Sequence, residues 1–247
     1  MTYGTILGCA AILALAGYAQ GILGIGFAMI ATPLLALFLG YRAAMMMVAV
    51  PALLMSVAWL LVNRRGLRRC RVPISLLPAI GMGASLGVTL QVGLSERVSL
   101  LLLASLLTMT LVMPRILTTL RAHKMSSPTR VAVVFGGLAG VTEAALNVGA
   151  PFMLLFGAMA RLGRLEQLMV LNLCFALGKT IQIGLLQMSG APAISITALA
   201  AGTMASGASY LVGDRVASRF SETKFRELLR CFLMAMVGAL LLRAALL

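Results

Sequence analysis

The chain has 247 residues, of which 61% are hydrophobic and 11% charged, with a mean hydropathy of +1.05. That composition excludes a soluble globular domain and reads as an all-α polytopic membrane protein, because a bilayer core admits long apolar segments and few charges. The net charge of +14 does not mark a nucleic-acid binder: Arg64, Arg65, Arg68, Arg69 and Arg71 sit in one short loop, with no extended basic face and no interleaved aromatics.

The first apolar segment runs from Gly4 to Gly40 and is broken at Gly21-Ile22-Leu23-Gly24-Ile25-Gly26, with Pro33 beyond. As one helix it would be about 55 Å long, against a hydrocarbon core of about 30 Å. Its start, Met1 to Gln20, lacks a basic leader, and more apolar sequence follows Gly17-Tyr18-Ala19. It is therefore expected to stay in the mature protein rather than be cleaved as a signal peptide. Three ordinary spans follow, at 43–62, 73–93 and 98–119. A second broken segment runs from Val131 to Ala160 and carries Thr142-Glu143-Ala144-Ala145-Leu146-Asn147-Val148-Gly149 before Pro151. It would be about 45 Å as a single helix. Three further spans are expected at 166–187, 192–212 and 229–247. Trp59 fits an interfacial anchor, and the stretch from Asp214 to Glu227 an interfacial charged segment before the last span.

The distribution of Lys and Arg tests how the broken segments cross. If each crosses once, the two sides hold ten and nine basic residues, which violates the positive-inside expectation. If each returns to the side it entered from, one face holds sixteen and the other only Arg42, Arg97 and Arg243, with Lys179 inside the membrane. Folded-back segments are therefore expected, each either a re-entrant pair of half-helices or two short spans, with basic loops in the cytoplasm and both termini outside. Each half, 1–124 and 125–247, then contains a folded-back element plus three spans. Three crossings invert the second half relative to the first, and inverted-topology repeats are a common architecture of secondary transporters. Weak self-similarity supports the repeat: Pro33 to Phe38 aligns with Pro151 to Phe156, and Gly87 to Gly93 with Gly207 to Gly213. Gly83 and Gly87, like Ala198, Gly202 and Ser206, have the spacing of close helix packing.

These residues resemble the sulfite exporter TauE/SafE family of membrane permeases. The carriers are Gly21-Ile-Leu-Gly24-Ile-Gly26-Phe27-Ala28-Met-Ile-Ala-Thr-Pro33 in the first half, with Gly136-Gly137-Leu-Ala-Gly140 and Asn147-Val-Gly149-Ala150-Pro151 in the second. The resemblance implies a permease for small sulfur-containing anions such as sulfite or organosulfonates. The chain departs from the family pattern at Phe27, Ala28, Glu143 and Ala150.

An anion crossing a bilayer needs positive potential without a permanent trap, and helix N-termini supply it through free N–H groups. New helices are expected to start near Gly26-Phe27 and Gly149-Ala150, meeting near the midplane as an anion cradle of Gly24, Gly26, Phe27, Asn147, Gly149 and Ala150. The alternative is that the glycines only permit tight packing. Lys179 sits in mid-span, where a lysine costs roughly 2.5–3.5 kcal/mol on insertion scales, and shares one helical arc with Asn172 and Gln182. It either contacts the anion or pairs with Glu143. Glu143, in the second break, is a candidate proton-coupling group. Thr142 and Thr180 are weaker hydrogen-bonding candidates, and Gln20 and Gln91 are expected to bridge helices. His123 is expected to be solvated in a loop.

No cofactor is expected. Cys9, Cys70, Cys174 and Cys231 lack metal-site spacing, and no disulfide or metal centre is expected. Met109 and Met113 share a helical face, but the seventeen methionines are better read as flexible packing than as copper ligands. There is no His-Glu-x-x-His, paired intramembrane aspartate or intramembrane histidine, which argues against an enzyme. The partners expected are a small anionic substrate and the lipid bilayer, not nucleic acid, with a homodimer left open. The alternatives to a permease are a passive anion channel and a membrane enzyme or scaffold subunit.

Overall fold

The computed structural model describes residues 2–24, 26–67, 73–120, 127–188, 195–217 and 222–247. Within them the chain forms eleven helices and no strand. The first half gives α1 (Tyr3–Leu23), α2 (Phe27–Leu39), α3 (Tyr41–Val62), the single turn α4 (Arg64–Leu67), α5 (Leu76–Gly93) and α6 (Glu96–Leu120). The second gives α7 (Pro128–Leu146), α8 (Ala150–Met159), α9 (Arg164–Met188), α10 (Ile196–Val216) and α11 (Glu222–Leu246). Eight of these helices are long and apolar enough to cross a membrane; α2 and α8 are shorter apolar helices. The expected spans are found, displaced by a few residues at their ends. Arg68, Arg69, Cys70, Arg71, His123 and the boundary between residues 124 and 125 lie outside the described residues.

Both apolar segments break where the sequence suggested, but their limbs are unequal. α1 is about 31 Å long and α2 about 20 Å; α7 is about 28 Å and α8 about 15 Å. Capping explains the boundaries. Thr2 caps α1 by accepting from the Thr5 N–H, and Ser127 caps α7 with Pro128 behind it. Gly24 ends α1 in the left-handed conformation (φ 76°), and Gly26 (φ 114°) starts α2; most side chains would strain there. Pro33 lies farther from its break than Pro151 does. It is the seventh residue of α2, whereas Pro151 lies in the first turn of α8.

The first segment folds back on itself. The ring of Phe38, near the end of α2, lies so close to Gly8, near the start of α1, that a methyl on Gly8 would come within 3.1 Å of it. The turn from α2 into α3 is stapled from outside. Glu96 on α6 accepts from the Tyr41 N–H at 3.2 Å, and Arg243 on α11 lies 3.3 Å from the same carboxylate oxygen while donating to the Leu37 carbonyl. The cation thus meets the carbonyl end of α2 and the carboxylate meets the N–H start of α3.

The chain divides into two compact units, and neither coincides with a sequence half. The first comprises Met1–Pro51, Ser95–Thr108 and Pro192–Leu247; the second comprises Ala52–Leu94 and Met109–Ala191. In the first unit α1 packs along α10, with Gly17 against Ser206 and Gly21 against Tyr210 and Asp214. Each step of four on one helix matches a step of four on the other, so the two run parallel. In the second unit α5 and α7 pair in the same way, with Gly83 against Gly137, Gly87 against Val141 and Gly140 against Ile80 and Ala84. A Cβ at Gly17, Gly21, Gly83, Gly87 or Gly140 would collide with a backbone carbonyl of the facing helix. Of the small residues that suggest close packing in the sequence, Gly83, Gly87 and Ser206 lie at backbone-to-backbone contacts, whereas Gly202 faces the Leu13 side chain. In each unit the long limb of a broken segment pairs with a span from the other half of the sequence.

Replacing Gly140 with Leu should therefore force α5 and α7 apart. The expected result is a loss of roughly 1–3 kcal/mol or more, read as a lower melting temperature in detergent. Gly207→Ala, where nothing lies within 4 Å of the added methyl, should leave it unchanged.

Candidate functional site

The second break is built from two opposed helix ends. α7 stops because Asn147 takes the left-handed conformation (φ 58°, ψ 26°). Its N–H bonds back to the Glu143 carbonyl at 3.1 Å, and the Val148 N–H to the Thr142 carbonyl at 3.2 Å. α8 starts three residues later, with Pro151 in a first turn whose N–H groups have no partner within the helix. The carbonyl end of α7 carries partial negative charge and the start of α8 partial positive charge.

A buried ion pair bridges the two ends. The Glu143 carboxylate accepts from the Gly149 N–H at 2.9 Å through Oε2, and its Oε1 lies 2.9 Å from the Lys179 ammonium, which α9 presents. Lys179 also donates to the Glu143 carbonyl oxygen at 3.0 Å, to Gln182 Oε1 at 3.0 Å and to Asn147 Oδ1. Gln182 in turn donates to the Ala144 carbonyl at 2.9 Å and to Gln91 Oε1 of α5 at 3.1 Å. Lys179 and Gln182 are 0% exposed, and Glu143 and Asn147 1%. Each charge thus sits at the helix end of opposite sign, and each is hydrogen-bonded as well as paired. That is the condition under which charge is tolerated in an apolar interior.

Of the two roles open to Lys179, the structure shows the pairing with Glu143. Lys179, Gln182, Asn147, Glu143 and Gly149 come together in one network; Ala150 follows directly as the first residue of α8. Asn172 does not join. Its amide donates to the Leu168 carbonyl of its own helix at 2.8 Å. Thr142 and Thr180 likewise bond to carbonyls one turn back. Gln91 bridges helices as expected. Gly178 was not singled out from the sequence, yet a Cβ there would come within 3.0 Å of the Glu143 side chain. The only signal was its place next to the intramembrane lysine.

Gly24, Gly26 and Phe27 belong to the first break, in the other unit. Here a neutral amide does the bridging. Gln20 Nε2 donates to the Gly24 carbonyl at 3.1 Å, and its Oε1 accepts from the Phe27 N–H at 2.9 Å. Gln20 thus joins α1 to α2 as expected, and does so by tying together the two ends of its own break, because it lies one turn before the left-handed cap. Glu143 lies one turn before Asn147 in the same way. The two caps, Gly24 and Asn147, are 123 residues apart, as are Gln20 and Glu143. Aligning the prolines, 118 residues apart, hides this correspondence.

The family model described as sulfite exporter TauE/SafE matches residues 9–240. No curated protein and no solved structure matches the chain.

The network predicts a strong coupling between its charges. Lys179→Met or Glu143→Gln alone leaves one buried charge unmatched and should cost about 3–5 kcal/mol. The double variant, with the neutral chemistry of Gln20, should lose clearly less than the sum of the two. A double-mutant cycle on thermal unfolding in detergent measures this, and additive losses would show that the pair is not coupled.

Proposed function

Because the chain belongs to the sulfite exporter TauE/SafE family, whose members are membrane transporters, we propose that it is a permease for a small sulfur-containing anion such as sulfite or an organosulfonate. The observation that carries the reading is the Glu143–Lys179 pair at the start of α8. A helix start is a ready anion site, because its N–H groups and its dipole both favour negative charge. In α8 the Ala150 and Phe152 N–H groups lie in that first turn, while Pro151 has none. The Gly149 N–H is taken by Glu143.

The bound carboxylate sets the conditions for an incoming anion. With Glu143 ionised, the pair is neutral and the carboxylate opposes a second negative charge. A proton on Glu143 removes that opposition and leaves the Lys179 charge uncompensated. The break then gains one positive charge, and the anion enters to balance it. Proton and anion thereby move together, with Glu143 as the coupling group and Asn147, Gly149, Ala150, Lys179 and Gln182 around the anion. The neutral first break offers Gly24, Gly26 and Phe27 at the start of α2, with no titrating group among them. By the positive-inside rule the basic loops lie in the cytoplasm of an inner-membrane protein, with both termini outside.

Flux into proteoliposomes, measured per reconstituted protein, should be saturable for sulfite or a sulfonate and should rise as pH falls on the loading side. Sulfate and carboxylates should be slower. Glu143→Gln should make the residual flux independent of pH, and Lys179→Ala should abolish it. A Glu143→Gln protein that keeps the wild-type pH profile removes Glu143 from coupling. Transport of carboxylates alone would overturn the substrate class.

A further inference from the structure

The oxygens around Lys179 outnumber what an ammonium group can use. Its three N–H groups face four oxygens: Glu143 Oε1 at 2.9 Å, the Glu143 carbonyl and Gln182 Oε1 at 3.0 Å each, and Asn147 Oδ1. Hard cations are bound by such mixed sets of carboxylate, amide and backbone oxygens. In transporters with discontinuous helices, unwound carbonyls and helix C-terminal ends are the groups that hold a coupling sodium. Here the set lies at the C-terminal end of α7 and carries one formal negative charge, which suits a monovalent ion.

The oxygens are also held by groups other than Lys179. Gln182 is fixed by Gln91 and the Ala144 carbonyl, and Glu143 by the Gly149 N–H. The Asn147 backbone, from which its amide projects, is fixed by its place as the α7 cap. The shell is a preformed site whose occupant is covalently attached.

We infer that the Lys179 ammonium acts as a tethered monovalent cation in the place a free ion would take, so that anion movement by this chain does not draw on a sodium or potassium gradient. The flux part of this rests on the permease reading; the binding part does not.

The two parts are tested separately. Purified Lys179→Ala protein is melted in choline chloride and then in rising NaCl, KCl or methylammonium chloride at constant ionic strength. At saturation one of these three cations should raise its melting temperature by about 5–10 °C. The wild type, whose site is filled, should not respond, nor should Glu143→Gln/Lys179→Ala, which lacks the negative charge. A Lys179→Ala protein that ignores all three cations, or that cannot be recovered in any of them, overturns the inference. In proteoliposomes, wild-type sulfite or sulfonate flux should be the same in sodium, potassium and choline. Flux that requires sodium or potassium overturns the inference while leaving the permease reading intact. Absence of any anion flux counts against the permease reading alone, because the melting response is judged without transport.

Discussion

A helix that stops inside an apolar medium exposes carbonyls at one end and N–H groups at the other, and no water is there to satisfy them. The structure depends on how each break meets that demand. In the second break a single residue serves both ends. The Glu143 backbone carbonyl takes the lysine on the α7 side, and its carboxylate takes the Gly149 N–H on the α8 side. Lys179 draws α9 onto the same point, and Gln182 brings in α5. The break is thereby the hub of its unit rather than a flaw in it.

The first break shows that charge is not required for this. Gln20 closes it with a neutral amide that donates on one side and accepts on the other. Two solutions to one structural demand within a chain act as an internal control. The glutamine shows what geometry alone asks for; the buried ions in the other break go beyond it. Buried ion pairs are weak evidence for stability, since apolar or neutral replacements of similar volume are often as stable. The charge in the second break is therefore not accounted for by closing the break alone. Close glycine packing supports both breaks. α1 on α10 and α7 on α5 approach until backbone meets backbone, which is how helices gain contact in lipid, where apolar side chains have little preference for protein over solvent.

Much of this was legible in the sequence, for definite reasons. Length against bilayer thickness exposed the two broken segments, and hydropathy found the spans. Gly26-Phe27 and Gly149-Ala150 could be read as helix starts because glycine and proline punctuate backbone locally. Lys179 stood out because an intramembrane cation is expensive. What stayed hidden were facts of side-chain reach. Gln20 reads as a bridge between helices and does join α1 to α2, but sequence does not show that these are the two ends of its own break. Asn172 shares an arc with Lys179, but its amide finds a nearer carbonyl in its own helix. Gly178 matters only because the Glu143 side chain lies over it. The unequal limbs are not legible because the glycine and proline signals mark where a helix starts locally and carry no information on how far each limb runs.

The interleaving of the two units also bears on how the protein is made. The second unit draws on two nearby stretches, Ala52–Leu94 and Met109–Ala191, so its helices leave the ribosome in close succession. The first unit needs α1 to meet α10, the first span and nearly the last. At 5–20 residues per second, roughly 10–40 s of translation separate them. During that interval the glycine face of α1 has no permanent neighbour, so the emerging N-terminal span must be sheltered by lipid or by the insertion machinery until the final fifth of the polypeptide arrives.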